Sequence, residues 1–555
     1  MNGKPVTLFY IFVVFMISSG LVWAAEAGNV HAETSKRRVD YVNIVRSYAD
    51  TMIEHGRDVY GPDKTPLFAA ALDRKNMKLV GKTSKIQGIR KGDRVLKGAN
   101  PMHDMDLYQV LYTLTEVTGE KRYREEADKA LKWFFDHCRS PATGLMAWGE
   151  HIGWEFEREA PGPVYKSKGK EGLAPHEFFG PWVFWEKSFM LAPASCVTFA
   201  RGLWDHQIHE HSGSFSRHAR WDQHNTSSGS EYPRHGGFYI ATWSRAYEHT
   251  KDPIFLKAIA TLVDYFNKKS SEQSGAIPCQ GGDWINKGKR WRLYYDGRLY
   301  DRKKDPLEQS PILAADDTAE TAAIRKELPL QKPFRINIMW PPSNISLAID
   351  LWDAAGRVPE ALAGKMKARA LKCDKVFLSL KHDFGPNGKG FVAGANVHTL
   401  ERLPEGSKWF GTHVWATGYG KCTDAQVAMM CYLRYCQVGN EGFKKLTVDS
   451  ASRYLTSSGD LTVTLYPGSM ADAILHMLAA YELTDQQKYI ERAEYFGRQA
   501  VDIFMDTDSP LPKASSEHDH YEAITGGDDL MMALLKLWVT KERPGAKLAW
   551  RYNSR

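Results

Sequence analysis

The sequence is poor in cysteine, with seven in 555 residues and no C-x-x-C pair. That excludes a disulfide-framework miniprotein and argues against a cysteine zinc site. Charge of one sign is also scarce: 73 Lys+Arg stand against 66 Asp+Glu, a formal charge of +7. Spread over this length, such a surplus permits an acidic ligand without demanding nucleic acid. No G-x-x-x-x-G-K-[ST], no strand-embedded G-x-G-x-x-G and no G-x-S-x-G elbow occurs, so nothing points to a nucleotide site or a hydrolase elbow. Beyond the first 32 residues no run is long and apolar enough to span a bilayer. With 43% hydrophobic and 25% charged residues, disorder, collagen and coiled coil are excluded.

Residues 1–32 read as an export signal. Lys4 is the lone basic residue, an apolar run follows from Leu8 to Trp23, and Ala24, Ala25, Ala27 and Ala32 offer cleavage points near Ala25 or Ala32. An uncleaved anchor is the alternative, and either way the globular part is exported. The reading divides the chain into this segment, one globular domain over 33–545 and a tail over 546–555. The odd cysteine count leaves at least one free thiol, and Cys431 and Cys436 read as buried packing residues.

Apolar periodicity is mostly helical. Leu107, Val110, Leu111 and Leu114 form an i, i+3, i+4, i+7 stripe. A turn at Thr118-Gly119-Glu120 and a second helix from Tyr123 to His137 follow. The unit recurs over Gly237–His249 with a helix from Phe255, and over Ser469–Leu483 with a helix from Tyr489. In each, a Thr precedes an aromatic by five positions: Thr118/Tyr123, Thr250/Phe255 and Thr484/Tyr489. Thr or Asp in these turns can N-cap the second helix. Asn344–Ala355 and Gln426–Val438 look like weaker copies. One helical hairpin cannot bury its apolar face, but several side by side can. Long stretches rich in Trp, His, Gly and Pro separate the units, and such loops usually carry function. The expected architecture is all-α: an (α/α) toroid of about six or seven hairpins, its loops forming a cleft. The basic run Lys78–Lys97 reads as a solvated face.

Histidine is concentrated from His151 to His235. Four stretches stand out: Trp148-Gly149-Glu150-His151, Pro175-His176-Glu177-Phe178, Phe215-Ser216-Arg217-His218 and Pro233-Arg234-His235-Gly236-Gly237. Two histidines and a carboxylate form a mixed N/O set suited to a divalent transition metal with open positions. Hydrogen-bonded histidines in a Trp-rich cleft are the competing reading. An Arg beside a ligand can clamp a carboxylate bidentately. It can also act as a base if it sheds a proton, which implies alkaline activity.

The order Tyr60-Gly61-Pro62, Thr65-Pro66-Leu67-Phe68, Gly144-Leu145, Trp148-Gly149-Glu150-His151, His176-Glu177, Gly202-Leu203-Trp204 with His209, and Ser216-Arg217-His218 resembles family 2 polysaccharide lyases. These are pectate lyases with an (α/α)7 toroid and a transition metal of the Mn type rather than Ca. The resemblance implies His151, Glu177 and His218 as metal ligands and Arg217 as the Brønsted base. Glu150 stands where the family pattern has a second Gly, and the stretch from His151 to Glu177 is longer than the family's. From residue 240 onward only the hairpin rhythm matches.

Elimination at a uronic acid needs a base for the C5 proton, stabilisation of charge on the carboxylate, and an oriented sugar. Arg234, His235 and Tyr239 are candidates for lining the cleft, with Trp148, Trp154 and Trp221 as stacking platforms; core packing explains each Trp equally well. His413 and the pair His518/His520 are thinner candidates, the pair reading as exposed and unimportant. The reading is thus an exported, monomeric lyase acting on an acidic poly- or oligosaccharide, polygalacturonate first, with neither nucleic acid nor membrane as a partner apart from the N-terminal segment. The alternatives are a glycoside hydrolase using a carboxylate pair among Glu150, Asp205, Glu210, Asp283 and Asp528-Asp529, a uronyl epimerase, or a non-catalytic glycan-binding relative.

Overall fold

The computed structural model describes residues 39–81, 85–86, 89–167, 170–178, 180–279, 291–293, 299–301, 318–327, 338–403, 405, 410–416, 422–546 and 548–554. Residues 1–32, read above as an export signal, and Asp283 lie outside them. The chain divides into residues 1–43 and residues 44–555; of the former only 39–43 are described. Among the described residues no helix is long and apolar enough to cross a membrane.

The helices are α1 (Tyr41–His55), α2 (Met105–Thr118), α3 (Arg122–His137), α4 (Trp185–Leu191), α5 (Pro193–Gly202), α6 (Pro233–Thr250), α7 (Pro253–Lys269), α8 (Ala319–Glu327), α9 (Pro341–Ala355), α10 (Glu360–Ser379), α11 (Asp424–Val438), α12 (Glu441–Leu455), α13 (Pro467–Thr484), α14 (Gln487–Phe504) and α15 (Gly527–Glu542). Proline opens α5, α6, α7, α9 and α13, where its missing N–H costs nothing and its fixed φ suits the first turn.

Among the described residues five hairpins are complete: α2/α3, α6/α7, α9/α10, α11/α12 and α13/α14. Their first helices pack in sequence, α6 on α9, α9 on α11, α11 on α13, α13 on α15 and α15 on α2. The short helices α4 and α5 bridge α6 to α3, and α3 packs on α2, which closes the ring. This is an (α/α) toroid. The inner helices α9 and α13 are buried almost all round. The outer α14 is amphipathic and buries Tyr489, Ile490, Ala493, Phe496, Ala500 and Phe504 along one face.

The repeated Thr does not cap the second helix. Thr118, Thr250 and Thr484 donate back to the carbonyls of Leu114, Ala246 and Ala480 at 2.6, 2.7 and 2.7 Å. Each then accepts from the amide two residues on, at 3.1, 3.1 and 3.3 Å. The hydroxyl therefore closes the C-terminus of the first helix. The partner aromatics Tyr123, Phe255 and Tyr489 are buried, so the five-residue spacing fixes how the hairpin packs. The Asp part of the expectation holds at Asp252, which accepts from Ile254 N at 2.9 Å.

Two other expectations change. Cys431 is buried but Cys436 is exposed. The basic run is not wholly solvated, since Arg94 is buried and pairs with Glu522 at 2.5 Å.

Candidate functional site

The site is assembled from short non-helical pieces. The strands His176–Glu177 and His218–Ala219 pair antiparallel, with Glu177 opposite His218. Opposed residues share a face, which brings Glu177 Oε1 to 2.8 Å from His218 Nε2. Strand alternation sends His176 the other way, and it is fully buried with its ring 5.0 Å from that of Phe178.

The Trp148–His151 turn docks on the same strand. Glu150 N donates to Glu177 O at 2.9 Å and Glu177 N to Glu150 O at 3.1 Å. Gly149 has φ +96° and His151 φ +80°. A Cβ on Gly149 would lie 2.2 Å from the Glu177 carbonyl oxygen, so glycine is required there by both space and conformation. Position 150 keeps ordinary backbone angles, which is why Glu fits where the family pattern has Gly. Asn100 locks the turn, donating to Gly149 O at 2.7 Å and Ile152 O at 3.1 Å.

The result sets His151 Nε2 at 3.9 Å from Glu177 Oε1. Asp93 Oδ1 lies 2.6 Å from His151 Nδ1. That contact assigns the Nδ1 proton and leaves Nε2 as the lone-pair nitrogen facing Glu177. One donor atom each from His151, Glu177 and His218 lies within 4.8 Å of the others. Asp93, Glu150 and His151 form a second such group. The exposed Arg90 sits over the edge, 2.6 Å from Glu150 Oε1 and 3.2 Å from His151 Nε2.

Arg217 precedes His218 at a turn held by Asn225, which donates to His218 O at 2.7 Å, and by Gln207, which donates to Ser216 O. Its Nη1 lies 3.2 and 3.3 Å from the two Glu177 oxygens, and its guanidinium stacks 5.2 Å over the Tyr232 ring. His235, fully buried, approaches Glu177 Oε2 at 3.4 Å. Burial opposes the charge of Glu177, but the contacts with His218 and His235 and the charge of Arg217 outweigh it and hold the carboxyl well below its usual range. Burial drives His235 and His103 down to about 4 and His176 to about 3.

The structure brings His151, Glu177, Arg217, His218 and His235 together. Arg234 faces a neighbouring cavity with its guanidinium 4.9 Å over Trp340. Trp148 presents no face to a sugar, being fully buried among Phe134, Phe135, Trp182 and Phe199. Tyr239 is likewise fully buried, against Phe215 and Trp243. Both are core residues that back the site. His520 is buried and pairs with Glu522 at 2.8 Å, so the His518/His520 pair is not a wholly exposed one. Sequence reasoning missed Asp93, Asn100 and Arg90, although Arg90 and Asp93 were visible inside the basic run as an Arg-x-x-Asp that breaks its charge.

Residues 65–267 match the family model described as periplasmic pectate lyase. The resemblance read from the motifs is thereby shown over a stretch that contains every residue of the cluster. Among solved structures, the chain is similar to a cellobiose 2-epimerase from Bacillus thermoamylovorans B4167, at 9% identity and TM-score 0.41, covering 89% of this chain and 99% of that one. It is also similar to an unsaturated glucuronyl hydrolase specific for heparin, at 9% and 0.42, covering 91% and 98%. A third is the unsaturated glucuronyl hydrolase from Streptcoccus agalactiae, at 10% and 0.41, covering 93% and 95%.

Proposed function

With residues 65–267 carrying the sequence pattern of the periplasmic pectate lyases, we propose that this protein is a metal-dependent polysaccharide lyase that cleaves a uronate-containing glycan, polygalacturonate first, by β-elimination. The observation that carries the reading is the convergence of His151, Glu177 and His218 within 4.8 Å, with the Arg217 guanidinium 3.2 Å from the shared carboxylate. A mixed imidazole and carboxylate set fits a divalent transition ion of the Mn type better than Ca, which prefers oxygen throughout. Bound there, such an ion would supply Lewis-acid polarisation of the uronate carboxylate.

The chain's own residues do the rest. Glu177 is held ionised by its neighbours and so is ready as an anionic ligand. Asp93 holds the His151 tautomer. Arg217 stands beside the ligand set, where it takes the C5 proton; the C5–H electrons form the C4=C5 double bond, and the C4–O4 bond breaks with its electron pair leaving on O4, which solvent water protonates. A guanidinium is a base only after losing a proton, so activity rises toward alkaline pH. The export segment and the family description both favour action in the periplasm or outside the cell.

The test is ultraviolet absorbance of the 4,5-unsaturated uronate on pectic, alginate and ulvan-type glycans, in mildly alkaline buffer with added Mn. We expect chelator to abolish the signal, and Arg217→Ala to reduce it by roughly 10²–10⁴-fold, the usual range for a lost acid–base group. Reducing ends without unsaturated product would transfer the protein to the hydrolases.

A further inference from the structure

The loop that carries Arg217 and His218 has a neck. It leaves the short π-helical turn Leu203–Gln207 at His206 and returns at His224. Asn225 N donates to His206 O at 3.0 Å, and the Asn225 side chain donates to Gln207 Oε1 at 3.0 Å and to His218 O at 2.7 Å. Within the loop Glu210 and His211 follow one another at φ +47° and +54°. Non-glycine residues keep a left-handed conformation only where their surroundings hold them there.

At that neck His206 and His224 face each other, with their Nδ1 atoms 3.4 Å apart. The rings stand at 73° with centroids 5.6 Å apart, so they are not stacked. Two imidazole nitrogens on a tetrahedral ion, each at about 2.0–2.1 Å, stand about 3.4 Å from each other. A hydrogen bond between the rings is the competing account, and 3.4 Å is long for one. His206 is half-buried and His224 exposed, so solvent reaches the pair. Burial and the neighbouring His224 lower the His206 pKa against the pull of Asp205, which favours the neutral, ligating imidazole. His211 is engaged elsewhere, stacked on Trp204 at 4.4 Å with its Nε2 3.6 Å from Asp205 Oδ1.

We propose that His206 and His224 form a second metal site, a clasp for a transition ion of the Zn type, separate from the His151–Glu177–His218 cluster. Two imidazoles with two positions left to water suit Zn, Cu or Ni rather than Mn, Mg or Ca. Bound there, the ion ties together the two ends of residues 207–223, as a metal clip closes a loop. Arg217 and His218 both lie between those ends, so His206 and His224 are positioning residues for them. That role rests on the lyase reading, while the clasp itself is a binding claim that does not.

The test is equilibrium dialysis of the full chain against Zn, with the bound ions counted by atomic emission. We expect His224→Ala and His206→Ala each to lose one bound Zn per chain. His151→Asn should lose a different one, and His151→Asn combined with His224→Ala should lose both. His224 is exposed, so its truncation leaves the core untouched. Mn binding by electron paramagnetic resonance, which reads the cluster, should be unchanged in His224→Ala. Zn should also slow proteolytic cutting within residues 207–223, and His224→Ala should remove that protection. A Zn count unchanged in either His206→Ala or His224→Ala would overturn the clasp, as would protection that survives His224→Ala. If His224→Ala removes the only Zn bound and Mn does not enter the cluster, the metal-dependent lyase reading fails and the clasp stands.

Discussion

Asp93 is the residue on which the candidate metal centre turns, although it stands apart from the three ligand candidates. Its carboxylate is buried and lies 2.6 Å from His151 Nδ1, while Arg90 donates to its other oxygen at 3.0 Å. Removing such an orienting carboxylate typically weakens metal binding by about 10–100-fold. Asp93→Ala should therefore lower Mn affinity by that factor in a paramagnetic-resonance titration, with the helical circular-dichroism spectrum unchanged. An unaltered affinity would remove Asp93 from the site. His151, Glu177, Arg217 and His218 were legible because each belongs to a short motif. Asp93 and Asn100 were not, because they act across about fifty positions of chain through a loop whose path no local pattern encodes. Trp148 stood open between stacking platform and core for a related reason: Gly149 and His151 share a turn with it, and the bends at +96° and +80° send His151 outward while Trp148 remains in the core.

At the scale of elements, the hairpin rhythm was readable because 3.6-residue periodicity and its turns are local properties. The helix starts observed, such as Pro233 and Pro467, precede the apolar positions that announced them by only a few residues. What the periodicity could not say was which helix each turn residue serves. Thr250 closes α6 and Asp252 opens α7, two residues apart, so the turn divides its capping between both helices. Losing an N-cap acid typically costs about 1 kcal/mol. Asp252 also meets Arg201 at 3.1 Å, but that pair is largely exposed and adds little. Asp252→Ala should lower the melting temperature by about 1–2 °C, the shift expected of a cap in a large domain, as read by differential scanning fluorimetry. A larger loss would mean that the turn supports more than its own helix.

At the scale of the whole molecule, the seam between α15 and α2 is also where α1 meets α15. Tyr48 of α1 and Tyr521, just before α15, both donate to Asp528 Oδ1 at 2.5 Å. Burial drives the Asp528 carboxyl up to about 7, against the two tyrosine hydroxyls that favour its charge. A carboxyl raised on folding holds its proton more tightly in the folded chain. Its stabilising contribution is complete below the unfolded value near 4 and is lost as pH rises through about 7. Buried His103, His235 and His476, each driven down to about 4 by burial, act in the opposite sense and destabilise the fold as pH falls below about 6.5. The raw pH profile therefore mixes the two. Asp528→Asn separates them, because an amide keeps an oxygen for both tyrosines and cannot ionise. The melting temperature of the unsubstituted protein minus that of the variant should fall steadily between pH 4 and pH 7 and then level off. A difference constant over that range would show that the seam holds Asp528 ionised throughout, and that Tyr48 and Tyr521 close the ring around a charge.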